Sequence, residues 1–392
     1  MDYIRREIAG KLLQLASQYP VVTITGPRQS GKTTLARRTF PRKGYYNLED
    51  PVTRNLLIED PRTFFNSINE EGAIIDEIQR VPELTSFIQP IVDDKNSKGQ
   101  FILTGSHQFE IIERVSQSLS GRTGLLKLLP FSLYELQTVF PVQSASHYLF
   151  NGFYPGIYHE RLDPVDYYGM YLETYIERDL RSAIAISNLT VFERFLKLLA
   201  GRTGNILNLS SLSNDTGASV PTIKQWISVL EASYIVFLLQ PFYGNISKRL
   251  IKSPKVYFHD VGLAVYLNGI ESPSQIESHP LRGALFENCI LSEFIKSRYN
   301  KGRKPNLYFY RDSAGTKVDV IYQEASAVRA CEIKSAQTPH PDFVKGITSF
   351  KKAYTGTEVS GLVFYGGNEH LEIKNVTFTP WDKIAETIKK VT

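Results

Sequence analysis

The sequence has little cysteine, no long apolar run and no strong excess of either charge. Two cysteines in 392 residues, Cys289 and Cys331, exclude a disulfide scaffold and a structural zinc site built from cysteines. No stretch reaches the roughly 18 uninterrupted apolar residues of a membrane-spanning helix, so we expect no membrane partner. Charged residues interrupt the apolar positions of residues 1–20, and we expect no signal peptide there. These absences predict a soluble protein of the reducing cytoplasm.

The composition is that of an ordinary globular protein, with 42% hydrophobic and 22% charged residues. The net charge of +5 is a weak indication of an anionic partner. Basic residues concentrate in two segments without acids, 248–255 and 296–304. Such a segment is typical either of a solvated face or of an anion-binding surface. The length predicts two or three domains, each large enough to bury its own core.

The first part of the chain, up to about residue 135, alternates short apolar runs with helical patterns. The spacing of apolar residues predicts a helix over 1–18. Short apolar runs between helical patterns predict buried parallel strands and an α/β domain. These strands are predicted at 21–25, 44–47, 73–75 and 101–103.

The middle of the chain changes character. Long helices are predicted over 167–185 and 189–200. Two shorter helices, 209–215 and 220–232, flank a turn that contains Gly217, and two strands follow at 235–241 and 255–258. A helix-turn-helix followed by a β-hairpin is the pattern of a winged helix.

The last part is α/β again. Helices are predicted over 285–299 and 343–354, and strands over 307–311, 317–322, 330–334 and 361–365. The sequence therefore predicts three domains, with boundaries at 1–160, 161–275 and 276–392.

A phosphate-binding motif follows the first predicted strand. Residues 26–33, GPRQSGKT, match G-x-x-x-x-G-K-[ST] in full. Two glycines let the backbone N–H groups face a phosphate, the lysine supplies charge to the β- and γ-phosphates, and the last hydroxyl ligates Mg²⁺. The sequence therefore predicts ATP and Mg²⁺ as cofactors. The predicted cofactor-binding residues here are Gly26, Pro27, Arg28, Gln29, Ser30, Gly31, Lys32, Thr33 and Thr34.

An acidic pair ends the third predicted strand and supports a hydrolytic site. Asp76 is expected to hold Mg²⁺ with Thr33, and Glu77 to activate the attacking water. Hydroxyls end the next strand, where Thr104 or Ser106 is expected near the γ-phosphate or that water. With Lys32, we therefore name Glu77 and Ser106 as candidate catalytic residues.

An arginine that neutralises charge in the transition state is the remaining catalytic candidate. Arg122 fits this role, either in its own subunit or from a neighbouring one, and a surface salt bridge is the alternative. Arg178 and Arg181 lie on a predicted helix. They could also approach the nucleotide, but pairing with nearby acids is the more ordinary role.

These motifs together resemble one family, the AAA-type P-loop ATPases of archaea and bacteria that carry a C-terminal domain of unknown function. The resemblance covers nearly the whole chain. It rests on GPRQSGKTTL, IIDEIQRVPEL, FILTGS, LSGRTGLLKLLPFSLYEL, YIERDLR and LLAGRTG, in that order, followed by Asp319…Glu332-x-Lys334. It implies an AAA-type core, a winged-helix middle segment and a restriction-endonuclease-like α/β C-terminal domain.

The winged-helix segment is a candidate DNA-binding surface. Helix 220–232 would present Lys224 to the bases, and Lys248 and Arg249 would form a basic wing on the phosphates. Between residues 216 and 258, Glu231 is the one acid. It stands against five basic residues, which are Lys224, Lys248, Arg249, Lys252 and Lys255. A winged helix used for protein contacts is the alternative.

Four residues of the last domain form a pattern similar to that of restriction-endonuclease-like nucleases: Glu287, Asp319, Glu332 and Lys334. Two carboxylates on neighbouring strands can hold Mg²⁺ for phosphodiester hydrolysis, and we predict Asp319 and Glu332 as metal ligands. A buried ionic network with no nuclease activity is the alternative.

The sequence therefore predicts a Mg²⁺-dependent ATPase coupled to DNA binding, and it leaves DNA cleavage and a homo-oligomeric assembly open. The alternative is a nucleotide-dependent signalling or scaffolding switch. In that case the C-terminal domains would bind protein and the nuclease fold would be inactive.

Overall fold

A computed structural model describes residues 3–95, 97–106, 118–177, 188–244, 252–313, 315–324, 327–354 and 356–392. The chain separates into two compact units. The first comprises Met1–Phe131, Ala232–Tyr234 and Arg298–Arg303, and the second comprises Ser132–Glu231, Ile235–Ser297 and Lys304–Thr392. The predicted middle and C-terminal domains thus contribute mainly to one unit, and the division into three domains stays a prediction.

The first unit is built on a five-stranded parallel sheet. Its strands are β1 (Val21–Thr25), β2 (Gly44–Asn47), β3 (Ala73–Asp76), β4 (Phe101–Gly105) and β5 (Thr123–Lys127), in the order β2-β3-β4-β1-β5. The parallel α/β prediction is confirmed, and four strands lie where the apolar runs indicated. The prediction missed β5 because this edge strand alternates buried and exposed residues and has no continuous apolar run.

Within the described residues of this unit, five helices pack around the sheet. They are α1 (Ala9–Gln18), α2 (Lys32–Thr39), α3 (Pro51–Glu59), α4 (Pro61–Ser67) and α5 (Leu84–Lys95). Aspartates cap α3 and α4: Asp50 accepts hydrogen bonds from the backbone N–H groups of Val52 and Thr53, and Asp60 accepts one from Thr63. Each cap is followed by a proline at the first helical position, where its missing N–H costs nothing.

The predicted helix over residues 1–18 is wrong for its first half. The helix begins at Ala9, although Ile4 and Ile8 are buried as their spacing indicated. Arg6 is 4% exposed and donates hydrogen bonds to the carbonyl oxygens of Ser30 (2.8 Å) and Leu129 (2.6 Å). These contacts fix the segment before Ala9 in a non-helical conformation and also tie it to the loop after β1.

The second unit contains one mixed eight-stranded sheet in the order β12-β13-β11-β10-β9-β8-β6-β7. Its strands are β6 (Val236–Pro241), β7 (Lys255–Phe258), β8 (Leu307–Arg311), β9 (Lys317–Gln323), β10 (Val328–Lys334), β11 (Val359–Tyr365), β12 (Leu371–Ile373) and β13 (Val376–Thr379). β6 pairs antiparallel with β7 and parallel with β8. The predicted hairpin therefore belongs to the same sheet as the strands that carry the predicted nuclease residues.

Helices flank this sheet in the described part of the second unit. They are α6 (Leu133–Gln137), α7 (Ala145–Asn151), α8 (Pro155–His159), α9 (Pro164–Tyr171), α10 (Leu189–Ala200), α11 (Leu209–Thr216), α12 (Val220–Ala232), α13 (Val261–Leu267), α14 (Pro273–Ser278), α15 (Arg282–Asn300), α16 (Lys345–Ala353) and α17 (Ile384–Val391). Throughout the described ranges, every helix is too short or too polar to cross a lipid bilayer.

The predicted helix over 167–185 is described only as far as residue 177, and up to there it is less regular than expected. α9 ends at Tyr171 and continues as a π-helical turn, Leu172–Glu177. Arg178 and Arg181 lie outside the described residues. The predicted helix-turn-helix is formed by α11 and α12, and Gly217, with φ of 79°, closes α11 in the left-handed conformation that favours glycine.

Candidate nucleotide site and carboxylate cluster

The loop between β1 and α2 has a backbone conformation that requires glycine at two positions. Gly26 has φ of 154°, and a Cβ at this position would collide with the carbonyl oxygen of Leu128. Gly31 has φ of 90° and immediately precedes α2. The Ser30 hydroxyl is fully buried and has no hydrogen-bond partner among the described residues. A phosphate in the loop would offer this orphaned donor an acceptor, so the loop fits the ligand that its motif indicates.

Lys32 lies at the start of α2 and is folded over the loop. Its Nζ donates hydrogen bonds to the carbonyl oxygens of Gly26 (3.0 Å) and Pro27 (2.8 Å). Burial lowers the pKa of Lys32 to about 8, although the nearby carboxylates of Glu77 and Asp76 oppose this change. Because burial disfavours the charged form of Lys32, an anion bound in the loop would stabilise its ammonium group.

Asp76, the last residue of β3, accepts hydrogen bonds from three hydroxyl groups. Thr33 and Tyr45 each donate to Oδ2 at 2.8 Å, and Thr104 donates to Oδ1. Carboxylate and hydroxyl oxygens are the donors that Mg²⁺ prefers, so Thr33 and Asp76 fit the metal that the motif indicates. Tyr45 was not predicted for this site. Thr104 contacts Asp76, and its predicted place near the γ-phosphate or the attacking water stays a prediction.

Glu77 adopts a left-handed backbone conformation with φ of 57°, which is uncommon for a residue with a side chain. Its Oε2 accepts a hydrogen bond from Ser106 (3.3 Å) and another from the Gln79 amide. The Gln79 amide also lies 3.3 Å from the Ser106 hydroxyl. The predicted pair Glu77 and Ser106 is therefore in contact, and Gln79 completes a polar triangle that the sequence did not indicate.

The other loop residues take peripheral positions. Arg28 reaches Glu49, with its guanidinium nitrogen 3.8 Å from a carboxylate oxygen. Gln29 has φ of 59°, and Thr34 is exposed on the first turn of α2. These residues shape the rim of the loop.

Family models divide the chain into three matched segments. An AAA domain model matches residues 18–137, the segment that contains the P-loop, Asp76 and Glu77. This segment is an AAA-type P-loop ATPase domain. Two models described as domains of unknown function match the rest, DUF8612 over residues 142–274 and DUF4143 over residues 282–384.

Two curated proteins are similar to nearly the whole chain. They are the Uncharacterized protein Rv2008c of Mycobacterium tuberculosis and the Uncharacterized protein Mb2031c of Mycobacterium bovis. Each is 28% identical over 392 residues, covering 98% of this chain and 85% of the relative. The similarity extends through the ATPase domain and both segments that follow it.

Solved structures give weaker likenesses. The Walker-type ATPase paby2304 of Pyrococcus abyssi has a TM-score of 0.44 and 14% identity, covering 67% of this chain and 94% of that one. AMPPCP-bound DnaA from Aquifex aeolicus has a TM-score of 0.30 and 15% identity, covering 57% and 85%. These values are too low to argue fold or function from.

Arg122, the arginine-finger candidate, lies at the edge of the ATPase sheet opposite the P-loop. It precedes β5, and its carbonyl oxygen accepts a hydrogen bond from Val21, the first residue of β1, whereas the P-loop follows the last residue of β1. A five-residue strand spans roughly 17 Å. The guanidinium forms a two-point salt bridge with Asp93 at 2.6 and 2.9 Å. The structure thus shows the salt bridge that was the alternative for Arg122, and a catalytic role, in its own subunit or from a neighbouring one, stays a prediction.

The predicted DNA-binding residues are only partly described. Lys224 is exposed on α12, whose buried face holds Trp226 against Phe192 and Phe195. Lys248 and Arg249 lie outside the described residues. Lys255, counted among the basic residues of this segment, instead forms an ion pair with Glu287 at 2.9 Å.

Three of the four predicted nuclease residues are in direct contact within the second unit. Cys331 pairs with Val320 across β10 and β9, which brings Glu332 beside Asp319. Lys334 Nζ donates to Asp319 Oδ2 at 2.8 Å and to Glu332 Oε2. The backbone N–H of Ile333 also donates to Asp319 at 2.9 Å. We refer to these three charged side chains and Glu287 as the carboxylate cluster.

Glu287 lies on α15 and shares a cleft of about 240 Å³ with Asp319. It accepts hydrogen bonds from Lys255 and Tyr257. Burial and the charge of Asp319 raise the pKa of Glu287 above its usual range. Burial also acts to raise the pKa of Asp319, but the charges of Lys334 and Lys255 outweigh it and hold that pKa below its usual range.

Glu332 is less acidic than an ordinary glutamate. Burial, together with repulsion from Asp319, raises its pKa to about 8. Lys334 pairs with Asp319 and Glu332, and Lys255 pairs with Glu287. Every carboxylate of the cluster therefore has a lysine partner. Over the ranges that the structure covers, no three His, Cys, Asp or Glu side chains are grouped to hold a metal ion. The metal site at Asp319 and Glu332 stays a prediction.

Proposed function

We propose that the chain is a Mg²⁺-dependent ATPase whose turnover is coupled to DNA binding by its second unit. The observation that carries this proposal is the arrangement at the end of β3. Asp76 is bonded to Thr33 of the P-loop, and the next residue, Glu77, is held by Ser106 and Gln79. A metal-side acid followed by an oriented carboxylate is the arrangement that hydrolysis of a γ-phosphate needs.

Each group has a role in this reaction. The loop amides and the Lys32 ammonium bind the phosphates and offset their charge. Mg²⁺, when bound by Thr33 and Asp76, supplies further neutralisation of phosphate charge. Glu77 accepts the proton of the attacking water, and the hydrogen bonds from Ser106 and Gln79 hold its carboxylate in one orientation.

Arg122 suits a role between copies of the chain. Because it lies at the opposite edge of its own sheet, it would have to act on the nucleotide of a neighbouring subunit in a homo-oligomer. That requires its release from the two-point salt bridge with Asp93.

The titration of Lys32 gives a direct test of its contact with phosphate. Because its pKa is about 8 in the free protein, roughly half of the Lys32 side chains are neutral at pH 8. Bound phosphates favour the ammonium, so nucleotide binding at pH 8 should take up about half a proton, and only about a tenth at pH 7. Calorimetric titration of Mg²⁺·ATP in two buffers of different ionisation enthalpy measures this uptake. Equal apparent enthalpies in both buffers at pH 8 would contradict the assignment.

The DNA-binding part of the proposal is carried by the basic residues around α12 and the hairpin that follows it. Reversing Lys248 and Arg249 to Glu should remove about two phosphate contacts. The slope of log affinity for duplex DNA against log salt should then fall by roughly 1.8. Fluorescence anisotropy over a salt series measures the slope. An unchanged slope would place the duplex elsewhere, with residues 296–304 as the next candidate.

The second candidate function is a nucleotide-dependent switch whose C-terminal part binds protein and has no nuclease activity. The lysine partners within the carboxylate cluster favour it over an active nuclease, because Lys334 already forms ion pairs with both Asp319 and Glu332. ATP turnover measured with and without DNA, beside a cleavage gel, separates the two. DNA-stimulated turnover favours the first, and turnover that ignores DNA favours the switch.

A further inference from the structure

A cationic cleft runs along α2, beyond the P-loop, within the ATPase domain. Its volume is about 710 Å³. Among the described residues that line it, three are basic and none is acidic. These residues are Thr33, Thr34, Arg37, Arg38, Phe40, Pro41, Lys43, Tyr45 and Ile74. We call this site the α2 cleft.

The two arginines of the α2 cleft are available for an anion. Both are exposed, and neither forms an ion pair with another residue in the described part of the chain. Each instead lies over an aromatic ring: Arg37 is 4.7 Å from the centre of Tyr45, and Arg38 is 5.6 Å from the centre of Tyr3. Such stacking fixes a guanidinium without neutralising it.

The third cation, Lys43, is partly buried and donates to the carbonyl oxygen of Glu71. The neighbouring Arg42 behaves differently. Its side chain is 81% exposed, pairs with the Glu71 carboxylate at 3.4 Å and does not line the cleft. The chain thus provides, a few residues apart, arginines inside the cleft and one outside it.

The α2 cleft is distinct from the nucleotide loop, although both contact Thr33. Arg37 and Arg38 lie one turn of helix beyond the residues that bind the phosphates of ATP. Hydroxyl groups of Thr33, Thr34 and Tyr45 also line the cleft, but those of Thr33 and Tyr45 already donate to Asp76. The charged donors that remain for a ligand are Arg37, Arg38 and Lys43. A ligand that presents several acceptors and negative charges, and no donors, matches this lining.

We propose that the α2 cleft binds consecutive phosphate groups of a single-stranded nucleic acid. Its volume lies within the range of small-ligand sites, which suits a short stretch of one strand. Three cations match two or three phosphates. The site is separate from the duplex-binding surface proposed above and does not depend on it.

The position of the cleft connects it with the hydrolytic site. Arg37 stacks on Tyr45, and the Tyr45 hydroxyl donates to Asp76. Two contacts therefore separate a phosphate bound at Arg37 from the acid that faces the metal. The binding of a single-stranded nucleic acid in the cleft can therefore be coupled to the binding of nucleotide in the ATPase domain.

Anisotropy of a fluorescent oligodeoxythymidylate tests the proposal on the full-length protein. Mg²⁺ and a non-hydrolysable ATP analogue are kept saturating, so that the P-loop is filled. Arg37→Gln/Arg38→Gln should lower the slope of log affinity against log salt by about 1.4, since each phosphate contact with a single strand contributes about 0.7. The matched control Arg42→Gln should leave the slope unchanged. The affinity of both variants for the ATP analogue should equal that of wild type, because none of the three substituted arginines belongs to the P-loop.

Other outcomes would overturn the proposal. Equal slopes in all three proteins would mean that the arginines of the cleft do not contact the strand. Displacement of the strand by tripolyphosphate at an equal phosphate concentration would assign the cleft to small polyphosphates. Displacement by polyglutamate but not by unlabelled oligonucleotide would assign it to an acidic protein.

A further measurement separates this site from duplex binding. If Arg37→Gln/Arg38→Gln causes the same loss of slope in a Lys248→Glu/Arg249→Glu background, the result supports the cleft independently of duplex binding and of ATP turnover.

Discussion

Glu77→Gln should lower ATP turnover by about 10²- to 10⁴-fold, the usual contribution of a positioned general base. The amide keeps the size of the side chain and can still contact Ser106 and Gln79, but it cannot accept the proton of the attacking water. Lys32, Thr33 and Asp76 are untouched, so the affinity for Mg²⁺·ATP should stay within a few-fold of wild type. Phosphate release at saturating ATP and equilibrium binding of a fluorescent analogue measure the two quantities.

The matched control for this variant is Glu83→Gln. Glu83 is an exposed carboxylate that lies six positions after Glu77 in the same domain, and its replacement makes the same chemical change. It should leave turnover unchanged. If Glu77→Gln hydrolyses ATP as fast as wild type, with or without DNA, the hydrolytic role of Glu77 is wrong and the domain uses nucleotide only as a bound switch.

The nucleotide site was largely predictable because its key residues are close in sequence to the strands that carry them. β1 and β4 are buried along their whole length, and apolar residues predominate in each, with threonine as the only polar residue type. Parallel strands end at one edge of the sheet, which brings the P-loop after β1 to Asp76 at the end of β3. Local sequence therefore predicted both the strands and the side of the sheet where the chemistry lies.

The supporting residues were not predictable in this way. Arg6 contacts the carbonyl oxygen of Leu129, 123 positions later, and no local pattern distinguishes it from a surface arginine. Tyr45 lies in an edge strand whose residues are all half-buried, so its contact with Asp76 depends on the register of β2 with β3. Among these supporting residues, Gln79 alone could have been recognised from the sequence. Its amide side chain lies two residues after Glu77 and is long enough to reach the carboxylate.

The arrangement of the second unit depends on pairing between distant segments. Helix-turn-helix and hairpin were both visible locally, but Gln240 pairs with Tyr308 in the parallel contact of β6 with β8. Because of this pairing, β7 brings Lys255 and Tyr257 to Glu287. The sequence pattern identified the members of the carboxylate cluster, whereas the ion pair of Lys255 with Glu287 could be recognised only in three dimensions.

Lys334→Met should lower the free energy of unfolding of the second unit by about 3–5 kcal/mol, the usual cost of leaving a buried charge without its partner. Lys334 contacts both Asp319 and Glu332, whose side chains are only 6% and 5% exposed. Methionine keeps the apolar stem and removes the ammonium. Chemical denaturation followed by hydrogen exchange at amides of β9 and β10 measures the loss in this unit. The exposed pair Lys345–Asp342 provides a control, since Lys345→Met should cause no measurable change.

The loss on Lys334→Met should depend on pH in a defined direction. The pKa of Glu332 is raised to about 8 in the folded protein from its usual 4.5. A carboxyl group with a raised pKa stabilises the folded state below its unfolded pKa, and this contribution is lost as the pH rises through the folded value. The difference between wild type and Lys334→Met should therefore be smallest near pH 5, where Glu332 is neutral, and largest above pH 8. Adding Glu332→Gln to Lys334→Met should recover part of the loss at pH 8 and little at pH 5. A loss that is the same at every pH would reject the ionic network as the role of Lys334, and recovery of stability with Mg²⁺ in place of the lysine would restore the cluster as a metal site.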